Sequence, residues 1–317
     1  MNARSSVGRL APSPTGILHL GHARSFLLAW WHARAEGGRI VLRMEDLDEG
    51  RVKPGMAEAC VRDLAWLGLD WDGPVIVQSE GQAAIDAAVM ELLDAGRAYP
   101  CVCSRKEIEA AQSAPHAGQE KGRYPGTCRG RWRTIAEAER ASGRPAAVRF
   151  VVEPGAIELE DGIAGRFASD PWTEVGDFPI ARRAGAAAYQ LAVVVDDGRA
   201  GVTDVVRGDD LLSSTARQWL LQRALGLPHP RWFHAPLVVD AEGRRLAKRS
   251  DDLSLAELRA RGVAAQSVVA WVARRSGFAG AEPAPASTFS RAFTLKNVPR
   301  APVVLDRAAL AELVGER

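Results

Sequence analysis

Two short segments, far apart in the chain, carry the residues best suited to chemistry on a phosphate. The first runs Arg9-Leu10-Ala11-Pro12-Ser13-Pro14-Thr15-Gly16-Ile17-Leu18-His19-Leu20-Gly21-His22. Its two prolines and Gly16 force a bend, and the bend delivers two imidazoles, His19 and His22, to the start of a helical pattern. A helix start presents unpaired backbone N–H groups and the positive end of the helix dipole, which suits a phosphate. Gly21, without a side chain, lets a flat base or a phosphate approach the backbone. The second segment is Arg244-Arg245-Leu246-Ala247-Lys248-Arg249-Ser250, placed after the apolar run Pro236 to Asp240 and the turn Glu242-Gly243. A basic loop beyond a parallel strand can close over a triphosphate and stabilise the charge that grows in a transition state. Taken alone, each segment reads equally well as a surface turn or a solvated charge run. In this order, at opposite ends of an interrupted α/β pattern, the two together are a strong signal for one triphosphate site, with His19, Gly21 and His22 at its helix end and the basic loop facing them.

A second group of reactive side chains lies between them. Three of the four cysteines crowd into Cys101-Val102-Cys103 and Tyr124-Pro125-Gly126-Thr127-Cys128, two short arms of a clip. Thiolates select zinc, and a closed tetrahedral site needs four ligands. On residue chemistry alone His116 is the obvious candidate for the fourth place, because imidazole binds zinc far more often than phenolate does. No general base stands nearby, so the metal is expected to be structural, one Zn2+ per chain. Arg123, Arg129, Arg131 and Arg133 flank the clip with Trp132 among them, and they suit phosphate contacts and base stacking, or an ordinary solvated face.

The elements that must position these groups follow from periodicity. Short apolar runs at Val7 to Ala11, Ile40 to Met44 and Val75 to Val77 alternate with helical patterns, the signature of a parallel sheet. The first helix is expected to open near Leu20 or Gly21, bury Phe26, Leu27, Trp30 and Trp31, and stop at Gly37-Gly38. The second begins near Pro54 and carries Ala57, Cys60, Val61, Leu64 and Leu67 at helical spacing. From Tyr99 the composition changes to a stretch rich in Cys, Arg and Gly, followed by strand-like runs at Ala147 to Val152 and Leu191 to Val195. Sheet character returns with Val205-Val206, a helix over Ser214 to Leu225 and a strand over Ala235 to Val239. Gly280 to Ser287 reads as a linker or mobile loop. The expected class is therefore α/β: a Rossmann-like nucleotide-binding parallel sheet (1–98 and 197–250), an inserted zinc-containing acceptor-binding domain (99–196) and a small helical C-terminal region (251–317). With 47% hydrophobic residues, 25% charged residues and a net charge of +2, the chain reads as a globular cytoplasmic monomer. Its longest nearly apolar stretch, Ala186 to Val195, is about half of the roughly 20 residues that a bilayer span needs.

These motifs together resemble a known family. Pro12 to His22 is similar to the "HIGH" element of class I aminoacyl-tRNA synthetases, in the form HLGH, and Leu246 to Ser250 resembles their "KMSKS" loop, in the form LAKRS. The loop departs from the pattern at Leu246 and Ala247, whereas Lys248 and Ser250 match it, so the resemblance implies that Lys248 acts on the ATP phosphates together with His19 and His22. The form Arg9-Leu10-Ala11-Pro12-Ser13, with Glu45 in LRMEDLD, Tyr189 in AYQLA and Arg207 in VVRGDD, resembles the glutamyl and glutaminyl branch. The resemblance implies that Arg9, Leu10, Ala11, Pro12, Ser13, Glu45, Tyr189 and Arg207 bind L-glutamate. The chemistry agrees: two arginines suit two carboxylates, Glu45 suits the ammonium, and Tyr189 offers a neutral hydroxyl. Which arginine takes which carboxylate is not decided by sequence.

The spacing Cys-x-Cys then Tyr-x-x-x-Cys resembles the short glutamyl-queuosine enzymes, and that resemblance places Tyr124 with Cys101, Cys103 and Cys128 on the metal, His116 remaining the alternative. Residues 251–317, 67 in all, are too few for a helical support and an anticodon-reading domain as well. The implied reaction is ATP- and Mg2+-dependent activation of glutamate without tRNA, followed by transfer to queuosine in the anticodon of tRNA(Asp). Two other readings remain: a truncated glutamyl-tRNA synthetase that charges a 3′ end, and a non-catalytic zinc-containing RNA-binding relative.

Overall fold

The computed structural model describes residues 5–113, 123–182, 186–244 and 254–314. The elements, in chain order, are β1 (Val7–Leu10), α1 (Leu20–Ala35), β2 (Arg39–Met44), α2 (Met56–Trp66), β3 (Ile76–Val77), α3 (Gln82–Asp94), β4 (Ala98–Cys101), α4 (Arg105–Ser113), α5 (Ile135–Ser142), β5 (Ala147–Phe150), β6 (Ile157–Asp161), β7 (Gly165–Ser169), α6 (Pro171–Glu174), β8 (Pro179–Ala181) and α7 (Tyr189–Ala200). They continue with β9 (Asp204–Gly208), α8 (Thr215–Ala224), β10 (Arg231–Ala235), β11 (Val238–Asp240), α9 (Leu255–Ala260), α10 (Ala265–Arg274), α11 (Ala286–Ser290), β12 (Val303–Leu305) and α12 (Arg307–Val314).

β1, β2 and β3 form a parallel sheet in that order, with Val7 opposite Arg39 and Arg43 opposite Ile76. β9 and β10 pair in parallel, and β9 comes in beside β1 through Thr203 N to Val7 O at 2.9 Å. Strands buried on both faces read as continuous apolar runs, and all four residues of β1 are buried. α1 packs along these strands and is buried on nearly every side. Its Trp31, fully buried, donates to Ala286 O at 2.8 Å and sits among Phe278, Phe289 and Phe293. The helix thus lies between the sheet and the C-terminal helices. Just beyond it, a Cβ on Gly38 would come within 2.3 Å of Ser6 O, so the turn into β2 requires glycine there.

The remaining sheets differ in strand direction. β4, β5 and β8 pair antiparallel, and the antiparallel hairpin β6–β7 joins β10 through Asp161 opposite Trp232. Three expectations need correction. Leu191 to Val195 is not a strand but the middle of α7, closed by Gly201 at φ 67°. Leu191 through Asp197 are all buried, so this stretch of the helix shows no exposed face and its β-branched run imitates a core strand. The C-terminal region also contributes β12, which pairs in parallel with β11 from Val238 opposite Val303 to Asp240 opposite Leu305. Three residues are too few to show alternation. Finally, Gly280 to Ser287 is packed: Ala281 and Ala286 are buried, Arg274 donates to Ala281 O, and α11 begins at Ala286.

Candidate active site

A cavity of about 730 Å³ opens at the carboxyl ends of β1, β2 and β9. Its wall includes Arg9, Ala11, Pro12, Ser13, His19, Gly21, His22, Glu45, Tyr189 and Arg207, all residues singled out from sequence. Leu10 is fully buried in the core and does not line it. Lys248 and the LAKRS loop lie outside the described residues. A second cavity of about 710 Å³, lined by Val7, Arg39, Thr203 and Arg231, lies at the amino ends of the same strands. Ligands of open parallel sheets bind at the carboxyl ends, where loops can converge, so the first cavity is the candidate site.

Its phosphate-facing end is built by a capping box. His19 is the N-cap of α1; its Nδ1 accepts from Gly21 N at 3.1 Å, and His22 Nδ1 accepts from His19 N at 3.2 Å. The two rings lie 3.8 Å apart. Two backbone amides that the sequence reading left for phosphate are therefore taken by imidazoles. With Nδ1 accepting, each neutral ring carries its proton on Nε2 and is a donor there. The helix dipole still favours an anion at this end. Gly21 stands against His19, where a Cβ would come within 3.0 Å of the ring.

The other end is a buried network of charges. Glu45 follows β2, and its N–H donates to Pro12 O at 2.9 Å, which fixes the end of β2 against the proline turn. Arg43, fully buried, bridges Glu45 Oε1 at 3.0 Å and Asp197 Oδ1 at 2.6 Å. Burial opposes the Arg43 guanidinium, but the two carboxylates outweigh it and hold its pKa above the ordinary value. Burial raises the Glu45 pKa, with Arg43 opposing. Arg9 gives Nη1 to Val206 O at 3.0 Å and faces Asp197 Oδ1 at 3.7 Å through Nε. Its Nη2 has no hydrogen-bond partner among the described residues.

Arg207 differs. Its Nε donates to His234 Nε2 at 2.9 Å, Nη1 to Gln218 Oε1 at 2.8 Å, and Nη2 to Leu211 O and Thr215 Oγ1, both at 3.3 Å. Four of about five guanidinium donors are thus committed, and one Nη1 hydrogen remains. Burial lowers the Arg207 pKa to about 10, so the side chain stays charged at neutral pH. Tyr189 opens α7 and is 38% exposed, toward the cavity.

The cysteine clip closes as the spacing suggested. Sγ of Cys101, Cys103 and Cys128 all lie within 4.8 Å of one another. Tyr124 Oη is 3.3 Å from Cys101 Sγ and 3.4 Å from Cys103 Sγ. Tetrahedral bonds of ~2.3 Å place zinc-bound sulfurs about 3.8 Å apart, so the thiols can hold a metal with little movement. Cys101 ends β4, Tyr124 is held by its N–H to Val175 O at 2.9 Å, and turns at Gly126 (φ 79°) and Gly130 (φ 74°) present Cys128. Burial opposes ionisation of Cys101, yet Tyr124 and Arg149 bring its pKa below the ordinary value. His116 lies outside the described residues. Arg123 stacks 4.1 Å over Trp172, and Arg129 reaches Glu153 at 2.8 Å, so both are engaged internally.

Sequence reasoning missed Arg43, Asp197, Gln218 and His234. The signal for Arg43 was present: a charge in the middle of the buried run Ile40 to Met44 requires a partner. That partner, Asp197, lies 154 residues away, and spacing cannot reveal it.

Comparison with known proteins agrees with this geometry. Residues 6–312 match the family described as tRNA synthetases class I (E and Q), catalytic domain. Glutamyl-Q tRNA(Asp) synthetase of Rhodopirellula baltica is 48% identical over 86% of this chain and 85% of its own. The protein of the same name from Symbiobacterium thermophilum is 45% identical over 97% of this chain and 98% of its own. A glutamate tRNA ligase from Elizabethkingia meningosepticum, solved in complex with its amino acid, superposes with a TM-score of 0.84 at 27% identity, covering 96% of this chain and 68% of that one. No helix among the described residues is long and apolar enough to cross a membrane. A cavity at the strand ends flanked by a histidine-capped helix and a buried Arg/Glu network, on a chain matched along nearly its whole length, places this protein in the class I tRNA synthetases of the E and Q type, alongside the glutamyl-Q tRNA(Asp) synthetases.

Proposed function

We propose that the chain activates L-glutamate with ATP to glutamyl-adenylate in the absence of tRNA, and then transfers the glutamyl group to queuosine in the anticodon of tRNA(Asp). The observation that carries this reading is one cavity that joins the His19/His22 cap to Arg9, Glu45, Tyr189 and Arg207. In activation, the glutamate α-carboxylate attacks the ATP α-phosphorus and pyrophosphate leaves, so no side-chain nucleophile is needed. Magnesium, when bound with ATP, screens the triphosphate. The Nε2 donors of His19 and His22 and the ammonium of Lys248 stabilise the charge that grows on the phosphates. Arg9, with its uncommitted Nη2, grips one glutamate carboxylate with a pair of hydrogen bonds. Arg207 offers the second carboxylate its single remaining donor and its charge. Glu45 takes the ammonium, and Tyr189 closes the pocket.

The thiols of Cys101, Cys103 and Cys128 with the Tyr124 phenol would hold a structural zinc, which would tie together the two arms of the clip. We read residues 1–98 and 197–250 as the catalytic domain, 99–196 as the inserted acceptor-binding domain and 251–317 as the helical C-terminal region. The test is pyrophosphate exchange followed by glutamylation of tRNA(Asp) with and without queuosine. Exchange with glutamate and no tRNA, and acceptance only by the queuosine-bearing tRNA, is expected. Exchange that requires tRNA would instead indicate 3′ charging, and no exchange with any amino acid would indicate a binding protein.

A further inference from the structure

The β6–β7 hairpin contributes a carboxylate to the core beneath the glutamate pocket, and that carboxylate leads directly to Arg207. Asp161 ends β6, is 3% exposed, and accepts through Oδ1 from Ile163 N at 2.9 Å and Ala164 N at 2.8 Å. These bonds lock its own turn. His234 N, on β10, reaches both carboxylate oxygens at 3.1 Å, and Oδ2 then meets His234 Nδ1 at 2.6 Å. The opposite ring nitrogen, Nε2, lies 2.9 Å from Arg207 Nε and 3.3 Å from Thr215 Oγ1. His234 is 1% exposed, and the Arg207 guanidinium lies 4.9 Å over the Trp232 ring. The turn has no slack, since a Cβ on Gly162 would come within 2.2 Å of the Phe233 ring.

We propose that Asp161 and His234 are positioning residues for Arg207: Asp161 holds the imidazole in its neutral Nδ1–H form, so that Nε2 accepts from Arg207 Nε and the remaining Nη1 hydrogen is aimed at the glutamate carboxylate. This rests on the reading of Arg207 as a glutamate residue. The donor inventory supports it. Arg207 has only donors, so its neighbour must be an acceptor, and an imidazole is an acceptor at Nε2 only when its proton is on Nδ1. Asp161 fixes the proton there because an ionised carboxylate can only accept. Burial, assisted by the charge of Arg207, lowers the His234 pKa, which keeps the ring neutral. Imidazolium at this position would set N–H against N–H.

The two amides that replace histidine separate positioning from mere packing. In His234→Asn the side-chain amide keeps the donor to Asp161 but cannot reach Arg207; in His234→Gln it reaches Arg207 as an acceptor and gives up Asp161. In Asp161→Asn the new amide donates to Nδ1 and drives the proton to Nε2, against Arg207. Glutamate-dependent pyrophosphate exchange on the full chain should show KM for glutamate raised roughly ten- to a hundredfold in His234→Asn and Asp161→Asn, the range for a lost hydrogen bond to a charged group. KM for ATP should stay within about twofold, and His234→Gln should recover most of the loss. If His234→Asn were as good as wild type, or His234→Gln no better than His234→Asn, the proposal would be overturned.

A second measurement does not depend on activity. Nitrogen NMR of the wild-type protein labelled at its six histidines, with His234 assigned from the His234→Gln spectrum, should show Nδ1 protonated and Nε2 bare at neutral pH. A proton on Nε2 would overturn the proposal even if glutamate activation were established. Absence of glutamate-dependent exchange in the wild type would instead remove the assigned function, while the NMR result still decides how Arg207 is held.

Discussion

Replacing Asp197 by asparagine tests the buried charge network most directly. Asp197 Oδ1 accepts from Arg43 Nη1 at 2.6 Å and faces Arg9 Nε at 3.7 Å, with side-chain exposures of 5% for Asp197, 0% for Arg43 and 6% for Arg9. Charge centres about 4 Å apart attract by ~4 kcal/mol at an effective dielectric of about 20. Asparagine keeps an acceptor worth about 1 kcal/mol, which leaves a loss of ~3 kcal/mol, near the range measured for breaking buried pairs. At ~2.1 cal/mol/K of unfolding entropy per residue, a chain of 317 residues has about 0.7 kcal/mol/K, so the melting temperature should fall by roughly 4 to 5 °C. The same change releases Arg9 from one of its two anchors, and KM for glutamate should rise while KM for ATP holds. Thermal melts of Asp197→Asn, Arg43→Gln and the double variant form a cycle that isolates the pair. A melting shift below about 1 °C, or a double variant that loses the full sum of the single losses, would refute the claimed coupling.

Other consequences can be checked separately. Burial raises the Glu45 pKa above its ordinary 4.5, and the ionised form is needed for the ammonium; KM for glutamate should therefore climb on acidification while ordinary carboxylates are still charged. The Glu45→Gln variant should bind glutamate weakly and lack this dependence, and a wild-type KM that stays flat down to 4.5 would contradict the assignment. Asp204 is buried, which disfavours its charge, but hydrogen bonds from His32, Arg231, Thr203 and Ser6 hold its pKa well below the ordinary 3.8. Its folded value is lower than its unfolded one, so its stabilisation is complete above 3.8 and is lost as pH falls. Melting temperatures measured against pH should accordingly show a shallower acid limb in Asp204→Asn, and identical limbs would exclude the clamp. Elemental analysis of untagged protein should find about one zinc per chain, reduced in Cys103→Ser and accompanied by a lower melting temperature. Zinc-free protein of unchanged stability would count against the metal site.

Much of the site was legible because its residues are adjacent in the chain. The bend at Pro12 to Gly16, the imidazoles three residues apart and the opening of α1 at Leu20 are consequences of local conformation, which short segments dictate. The clip Cys101, Cys103 and Cys128 was legible for a similar reason, since few uses other than a shared metal explain three thiols so close together. What failed locally was α7: its apolar run looks like a strand until its surroundings bury every side, and only then is the helix the form that satisfies its backbone.

The partnerships were decided by tertiary structure alone. Arg43 meets Asp197 across 154 positions, and His234 meets Asp161 across 73. A buried charge announces that it needs a counter-charge, yet the identity of that group depends on which strands and helices converge. The same convergence distinguishes Arg9, with a free edge, from Arg207, whose donors are almost all taken; sequence treats the two arginines as equals. Residue type and spacing therefore determined which chemical groups the protein carries. Packing determined which of those groups remain available to a substrate, because hydrogen-bond donors are committed or released only when the chain has closed around them.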